Sequence, residues 1–246
     1  MAFGSTSLWL GIAAALLVGF SKTGLPGASI PAVALMAEAF RDDTRLSVGA
    51  MLPVLLCGDL FAIRYYRRDA QWSQLWQLFP FVIAGMIPGY VVLWKLPTDG
   101  LRVLLGVVIL ALLTLHSFQR WYGAVHWLEA KWFNAMMGMI AGFGTTIGNA
   151  AGPVMSIFLV TRRMGKQEFL GTSAWFFFLV NLSKVPFFSL LGMINTKTLQ
   201  FDLFLIPMLA CGAVLGARAV KWIPQAAFDA LVLGLAGVAA LRMIIA

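Results

Sequence analysis

Charge is what this chain has least of. Asp, Glu, Lys and Arg make up 11% of its 246 residues, while 61% are hydrophobic. A soluble domain needs a charged surface, so that class is excluded. Histidine and cysteine are scarce, with two of each. His116 and His126 fall in the polar connection between the halves, without a Cys, His or carboxylate pattern around them, so they are poor metal ligand candidates and no metal centre is expected. Cys57 and Cys211 lie in apolar runs and read as packing residues, not as a disulfide. No Lys or Arg precedes Lys22, so the basic start of a cleaved signal peptide is missing. No Ser-His-Asp set, HExxH, P-loop or Rossmann fingerprint is present, so neither an enzyme nor a bound cofactor is expected.

What the chain has is hydrophobic length. Long apolar runs cover 46–63, 75–93, 103–115, 169–193, 199–217 and 226–240. Runs of about 20 such residues are read as membrane spans. The expectation is an all-α, multi-pass integral membrane protein with the lipid bilayer as its environment. The net charge of +8 sits in short loops beside the spans, as topology signals do, and does not indicate nucleic acid. Trp72, Trp76, Trp94, Trp127 and Trp132 lie near span ends, as in an interfacial belt.

The two halves resemble each other. GFSKTGLPGASIPAVAL (19–35) aligns without a gap with GFGTTIGNAAGPVMSIF (142–158). Further on, Gly85 matches Gly212, and Gly89 matches Gly216. Each half reads as a broken apolar segment followed by three spans. The first repeat is expected over 1–118, with a hairpin at about 8–40 and spans at about 46–63, 75–95 and 101–118. A connection follows at 119–130. The second repeat is expected over 131–246, with a hairpin at about 131–162 and spans at about 169–192, 199–220 and 225–244.

The apolar pieces 8–20 and 27–40 each reach roughly 20 Å as helix, short of a membrane core of about 30 Å. Re-entrant hairpins fit both lengths, and three crossings per half then make the repeats inverted. This arrangement puts Arg64, Arg67, Arg68, Arg120, Lys131, Arg162, Arg163, Lys166, Arg218 and Lys221 on one side. That is the larger share of the loop cations, so this side is expected to be cytoplasmic and both termini outside. Full crossing of each broken segment gives a more even split.

Unwound backbone inside a membrane is tolerated where it is buried in protein or lines a cavity. Paired breaks in two halves mark a transporter's binding site, although glycine and proline also merely kink packed helices. The first break offers Ser21, Lys22, Thr23, Gly24 and Gly27; the second offers Thr145, Thr146, Gly148, Asn149 and Gly152. Hydroxyls, amides, a lysine and free N–H groups at the starts of helices near Gly27 and Gly152 favour an anion. Lys22 has a second reading, as a counter to the dipole of the helix it ends. Asn181 and Lys184, three residues apart on one helix face, are candidates for the anion path, with Lys184 alternatively snorkelling outward. Asp59 is expected to pair with Lys22 or Arg64, or to carry a coupling proton. Its depth argues against a direct pair with Lys184.

GFSKTGLPG (19–27), its relaxed copy GFGTTIGNAAGP (142–153), NLSKVPFF (181–188) and GDLFAIRYYRRDA (58–70) together resemble the TauE/SafE family, the sulfite exporter or toluene sulfonate uptake proteins. The resemblance spans essentially the whole chain. It implies secondary transport of a small anion across the cell inner membrane, with sulfite, organosulfonates such as sulfoacetate, and carboxylates as the substrate classes. Thr145 stands where the first break has Lys22, so a symmetric two-lysine site is excluded. An anion channel or a carboxylate transporter of the same architecture is the rival reading, and a membrane-embedded enzyme a weaker one. Without an ATP-binding motif, transport by this chain draws on an ion gradient or on the substrate's own. A homo-oligomer is compatible with the sequence.

Overall fold

The structure, a computed structural model, describes residues 5–26, 28–40, 44–95, 107, 110, 113–114, 130–149 and 151–245. The expected span at 101–118 and the connection at 119–130 fall almost wholly outside these residues, as does Gly27. The secondary structure described is helical: α1 (Ser5–Thr23), α2 (Ile30–Ala39), α3 (Thr44–Tyr66), α4 (Trp72–Lys95), α5 (Lys131–Gly148), α6 (Ala151–Thr161), α7 (Lys166–Leu190), α8 (Thr196–Trp222) and α9 (Gln225–Ile245). Among the described residues, five helices are long and apolar enough to cross a membrane: the stretches Thr6–Thr23, Leu46–Tyr66, Trp72–Val92, Lys166–Leu190 and Thr196–Trp222. The chain is therefore read as a multi-pass membrane protein. The spans expected at 46–63, 75–95, 169–192 and 199–220 are each a helix of this kind, and α9 covers the one expected at 225–244.

The breaks are shorter than expected and come later. α1 has 19 residues, which is about 28 Å of helix, and it runs through Ser21, Lys22 and Thr23. The turn is held closed by Thr23, whose hydroxyl faces the carbonyls of Gly19 (3.1 Å) and Ala213 (2.6 Å), and by the Gly24 amide donating to Phe20. The helix stops before Pro26, which has no N–H to donate and disfavours helical geometry in the residue ahead of it. α2 then opens at Ile30, not near Gly27, with Pro31 in its first turn, where no N–H is required. The second break is narrower. α5 ends at Asn149, which takes left-handed geometry (φ 54°, ψ 30°) and returns its amide to the Gly144 and Thr145 carbonyls. Asparagine tolerates that conformation and so closes the helix. α6 starts at once, at Ala151.

The described residues form two compact units, and neither follows the sequence halves. One comprises 1–70 and 173–224; the other comprises 71–172 and 225–246. In the first unit α1, α2, α3 and α8 share a core of Ala14, Ala15, Val18, Ala32, Met36, Met51, Val54, Phe201, Leu205 and Leu209. α2 packs against α1, and α1 lies parallel to α8. Their backbones touch: a Cβ built on Gly19 would overlap the Leu209 carbonyl, and one on Gly212 would overlap the Leu16 carbonyl. Small residues permit this approach, which is how membrane helices gain packing contact.

In the second unit α4 lies parallel to α5 in the same manner. A Cβ on Gly142 would overlap the Val82 carbonyl, and one on Gly85 the Met139 carbonyl. α6 packs against α5 and α9. A partly buried polar knot joins α4, α5 and the end of α6: Arg162 donates to Asn134, whose amide donates to Gln77 at 3.1 Å. At the start of α7, Gln71 donates its amide N–H to Thr172 (2.9 Å) and its side chain to Glu168 (2.7 Å).

Candidate functional site

Lys22 occupies the last turn of α1, where carbonyls lack helical partners and a cation is favoured. One of those carbonyls, that of Thr23, accepts from the buried Tyr66 hydroxyl at 2.7 Å. The Lys22 stem passes α3 at Gly58, where a Cβ would stand 3.1 Å from its Cγ. Its ammonium then lies 2.6 Å from Asp59 Oδ1 and 4.2 Å from the centroid of the Phe177 ring. The ring face adds a favourable electrostatic contact for a cation.

Asp59 is fully buried, and its other oxygen, Oδ2, accepts from Asn181 Nδ2 at 2.7 Å. Thus α1, α3 and α7 each contribute one group to a single cluster within the first unit. Lys184 lies one turn beyond Asn181 on α7 and is fully buried. Its ammonium is 5.9 Å from the Phe188 ring, and the charges that act on it are those of Lys22 and Asp59. Of the partners expected for Asp59, the structure selects Lys22. Asp59 meets α7 at Asn181, three residues before Lys184.

A buried ion pair of this kind is not a cheap stabiliser. Desolvation offsets most of its attraction, while deleting one partner costs about 3–5 kcal/mol because the other charge is left unmatched. Two lysines and one carboxylate are thus set among amide and aromatic groups in an otherwise apolar interior.

Other residues expected at the breaks are placed differently. Ser21 and Thr23 are buried, and Thr23 uses its hydroxyl proton on backbone carbonyls. A Cβ on Gly24 would stand 2.7 Å from Gly216 Cα, so this glycine serves helix packing. In the second unit Thr145 and Thr146 are buried in the last turn of α5, and the Thr146 hydroxyl donates to Gly142 at 2.9 Å. Gly148 is the last residue of α5, with Asn149 as its left-handed cap. Gly152 lies in the first turn of α6 with open space where a side chain would be.

One ionisable residue escaped the sequence reading. Asp202 on α8 is 6% exposed, and neither carboxylate oxygen has a hydrogen-bond partner among the described residues. It lines a cavity of about 220 Å³ with Pro53, Val54, Cys57, Leu203 and Leu209. The signal was visible as a single acid inside the apolar run 199–217, since intramembrane charge is rare and costly. No cluster of three or more His, Cys, Asp or Glu suited to a metal ion occurs among the described residues.

The model of the family described as sulfite exporter TauE/SafE matches residues 9–243. No curated protein and no solved structure matches the chain. The match runs through both breaks, the Lys22–Asp59–Asn181 cluster and all the long helices, and on that extent the chain belongs to the TauE/SafE sulfite exporter family.

Proposed function

We propose that this protein is a secondary transporter of small sulfur oxyanions or organosulfonates in the cell inner membrane, and that Lys22, Asn181 and Lys184 hold the anion during transport. The observation that carries the reading is the buried cluster in the first unit: Lys22 pairs with one oxygen of Asp59, the Asn181 amide donates to the other, and a second buried lysine, Lys184, lies one turn further along α7. Ammonium and amide N–H groups suit the tetrahedral or pyramidal oxygens of sulfite and sulfonates, each hydrogen bond to charge contributing about 1.5–3 kcal/mol. Family membership supports the substrate class.

Inverted repeats with re-entrant hairpins and alternating access belong to the same proposal. They are supported by the packing of α2 on α1 and of α6 on α5, and by the short second arms of 10 and 11 residues. Neither arm is long enough to cross a core of about 30 Å.

The test is a panel of sulfite, methanesulfonate, sulfoacetate, sulfate, thiosulfate and acetate, scored by thermal stabilisation of the purified protein and by counterflow in liposomes. A sulfur oxyanion is expected to stabilise the protein most. Lys22→Met is best made in an Asp59→Asn background, so that no buried carboxylate is orphaned. It is expected to weaken the best ligand about 10- to 150-fold relative to Asp59→Asn alone. Affinity within twofold of that parent leaves Lys22 as a dipole cap only, and a panel with no stabilising anion overturns the function.

A further inference from the structure

We infer that Asp59 is a built-in substitute for the transported anion, and that the anion enters only as Asp59 takes up a proton. The inference rests on the function proposed above and adds the coupling ion to it.

The geometry is that of a bound anion. The Asp59 carboxylate takes the Lys22 ammonium on one oxygen and the Asn181 amide on the other, at 2.6 and 2.7 Å. These are two of the three donors proposed to hold the transported anion. A carboxylate and a sulfonate cannot both occupy them: the donors are few, and two like charges in a water-poor interior repel strongly. Lys22 and Asn181 thus have an internal ligand in Asp59, which answers how Lys22 tolerates burial between apolar helices.

Release of Lys22 needs Asp59 to lose its charge, because a naked carboxylate at full burial is prohibitively costly. The groups around Asp59 allow one exchange. α1 presents Lys22, and α7 presents Asn181 and Lys184. α8 presents Asp202, which faces the same stretch of α3 through Cys57. The one charged residue of α2, Glu38, is exposed at its far end. Apart from the lysines, Asp59 is the acid in direct contact with the cluster. A proton adds to its carboxylate to give the neutral acid, the Lys22–Asp59 ion pair breaks, and the incoming anion takes the freed ammonium. For a singly charged anion the cluster keeps the same net charge before and after, so proton and anion travel together as a neutral pair.

The experiment is calorimetry of the purified, full-length protein with methanesulfonate and with sulfite, each in two buffers of different ionisation enthalpy. The difference in observed heat counts protons taken up per anion bound, after correction for the protonation of sulfite itself. About one proton per anion is expected, with methanesulfonate affinity falling about tenfold per pH unit as the solution becomes more alkaline. Asp59→Asn is expected to bind with no proton uptake and with pH-independent affinity, and to support counterflow without a pH gradient effect. Wild-type binding without proton uptake overturns the coupling while leaving the anion site standing. Proton uptake that persists in folded Asp59→Asn removes Asp59 from the role. Binding of neither probe by the wild type overturns the underlying function along with the inference. The wild-type proton count needs no variant, so a failure of Asp59→Asn to fold does not shield the idea.

Discussion

Asp59 and Asp202 are both acids inside apolar helices, and their surroundings differ in kind. Asp59 is saturated by a lysine and an amide, whereas Asp202 faces a cavity lined by Pro53, Val54, Leu203 and Leu209, with no hydrogen-bond partner among the described residues. An unsatisfied buried polar group costs about 1–3 kcal/mol. Asp202→Leu removes that cost. It is expected to raise the thermal midpoint of the purified protein and to leave methanesulfonate binding unchanged. A loss of binding would give Asp202 a part in anion binding.

The reach of sequence reading at this scale depended on contrast. Lys22, Asp59, Asn181 and Lys184 stood out because each is polar in an apolar run, and the structure gathers them. What could not be read was the state of the backbone beneath them. GFSKTGLPG looks broken from Gly19 onward, yet α1 continues to Thr23 because the Thr23 hydroxyl, the Ala213 carbonyl and the Tyr66 hydroxyl complete its last turn. Two of those partners lie 190 and 43 residues away in sequence. Local propensity carries no information about them.

Among the helices, matched positions of the two sequence halves do matched work. Gly19 aligns with Gly142 and Thr23 with Thr146; in both units the threonine hydroxyl reaches the glycine carbonyl four residues back. Gly212 and Gly85, aligned with each other, press against the partner helix of their own unit. Gly212→Ala and Gly142→Ala place a methyl group into a backbone carbonyl, which no rotamer change relieves. Each is expected to cost about 1–3 kcal/mol or more, read as a lower thermal midpoint. Gly152→Ala is the control: it lies in a helix with nothing within 4 Å of the added Cβ, so it is expected to be neutral or to gain up to about 1 kcal/mol. Equal losses at all three would mean that close helix approach is not what the glycines serve. The pairing of α1 with α8, and of α4 with α5, was not legible from the repeat. α1 is apolar nearly all round, so no stripe announces which of its faces meets α8.

At the scale of the molecule, each compact unit draws helices from both halves of the chain. α1 finds its parallel partner in α8, and α5 finds its own in α4. Cutting the chain in the connection between α4 and α5 therefore leaves neither piece with a complete unit. Each half expressed alone is expected to be degraded or to aggregate, while co-expression of the two as separate polypeptides restores a stable protein that binds the same anion. Recovery of a folded, monodisperse first half by itself would contradict the exchange of helices.

The same exchange sets a timetable for biosynthesis. Thr23 closes α1 early, but Ala213, which holds it, belongs to a helix that begins only at Thr196. At about 5–20 residues per second of translation, the glycine face of α1 waits roughly 9 to 35 seconds for its neighbour. During that interval the carbonyl of Leu16 and the amide of Phe20, later pressed by Gly212, meet lipid or the insertion machinery instead. Correct assembly thus depends on the first helix being held unpaired without being lost, so slowed translation of the second half should harm yield more than slowed translation of the first.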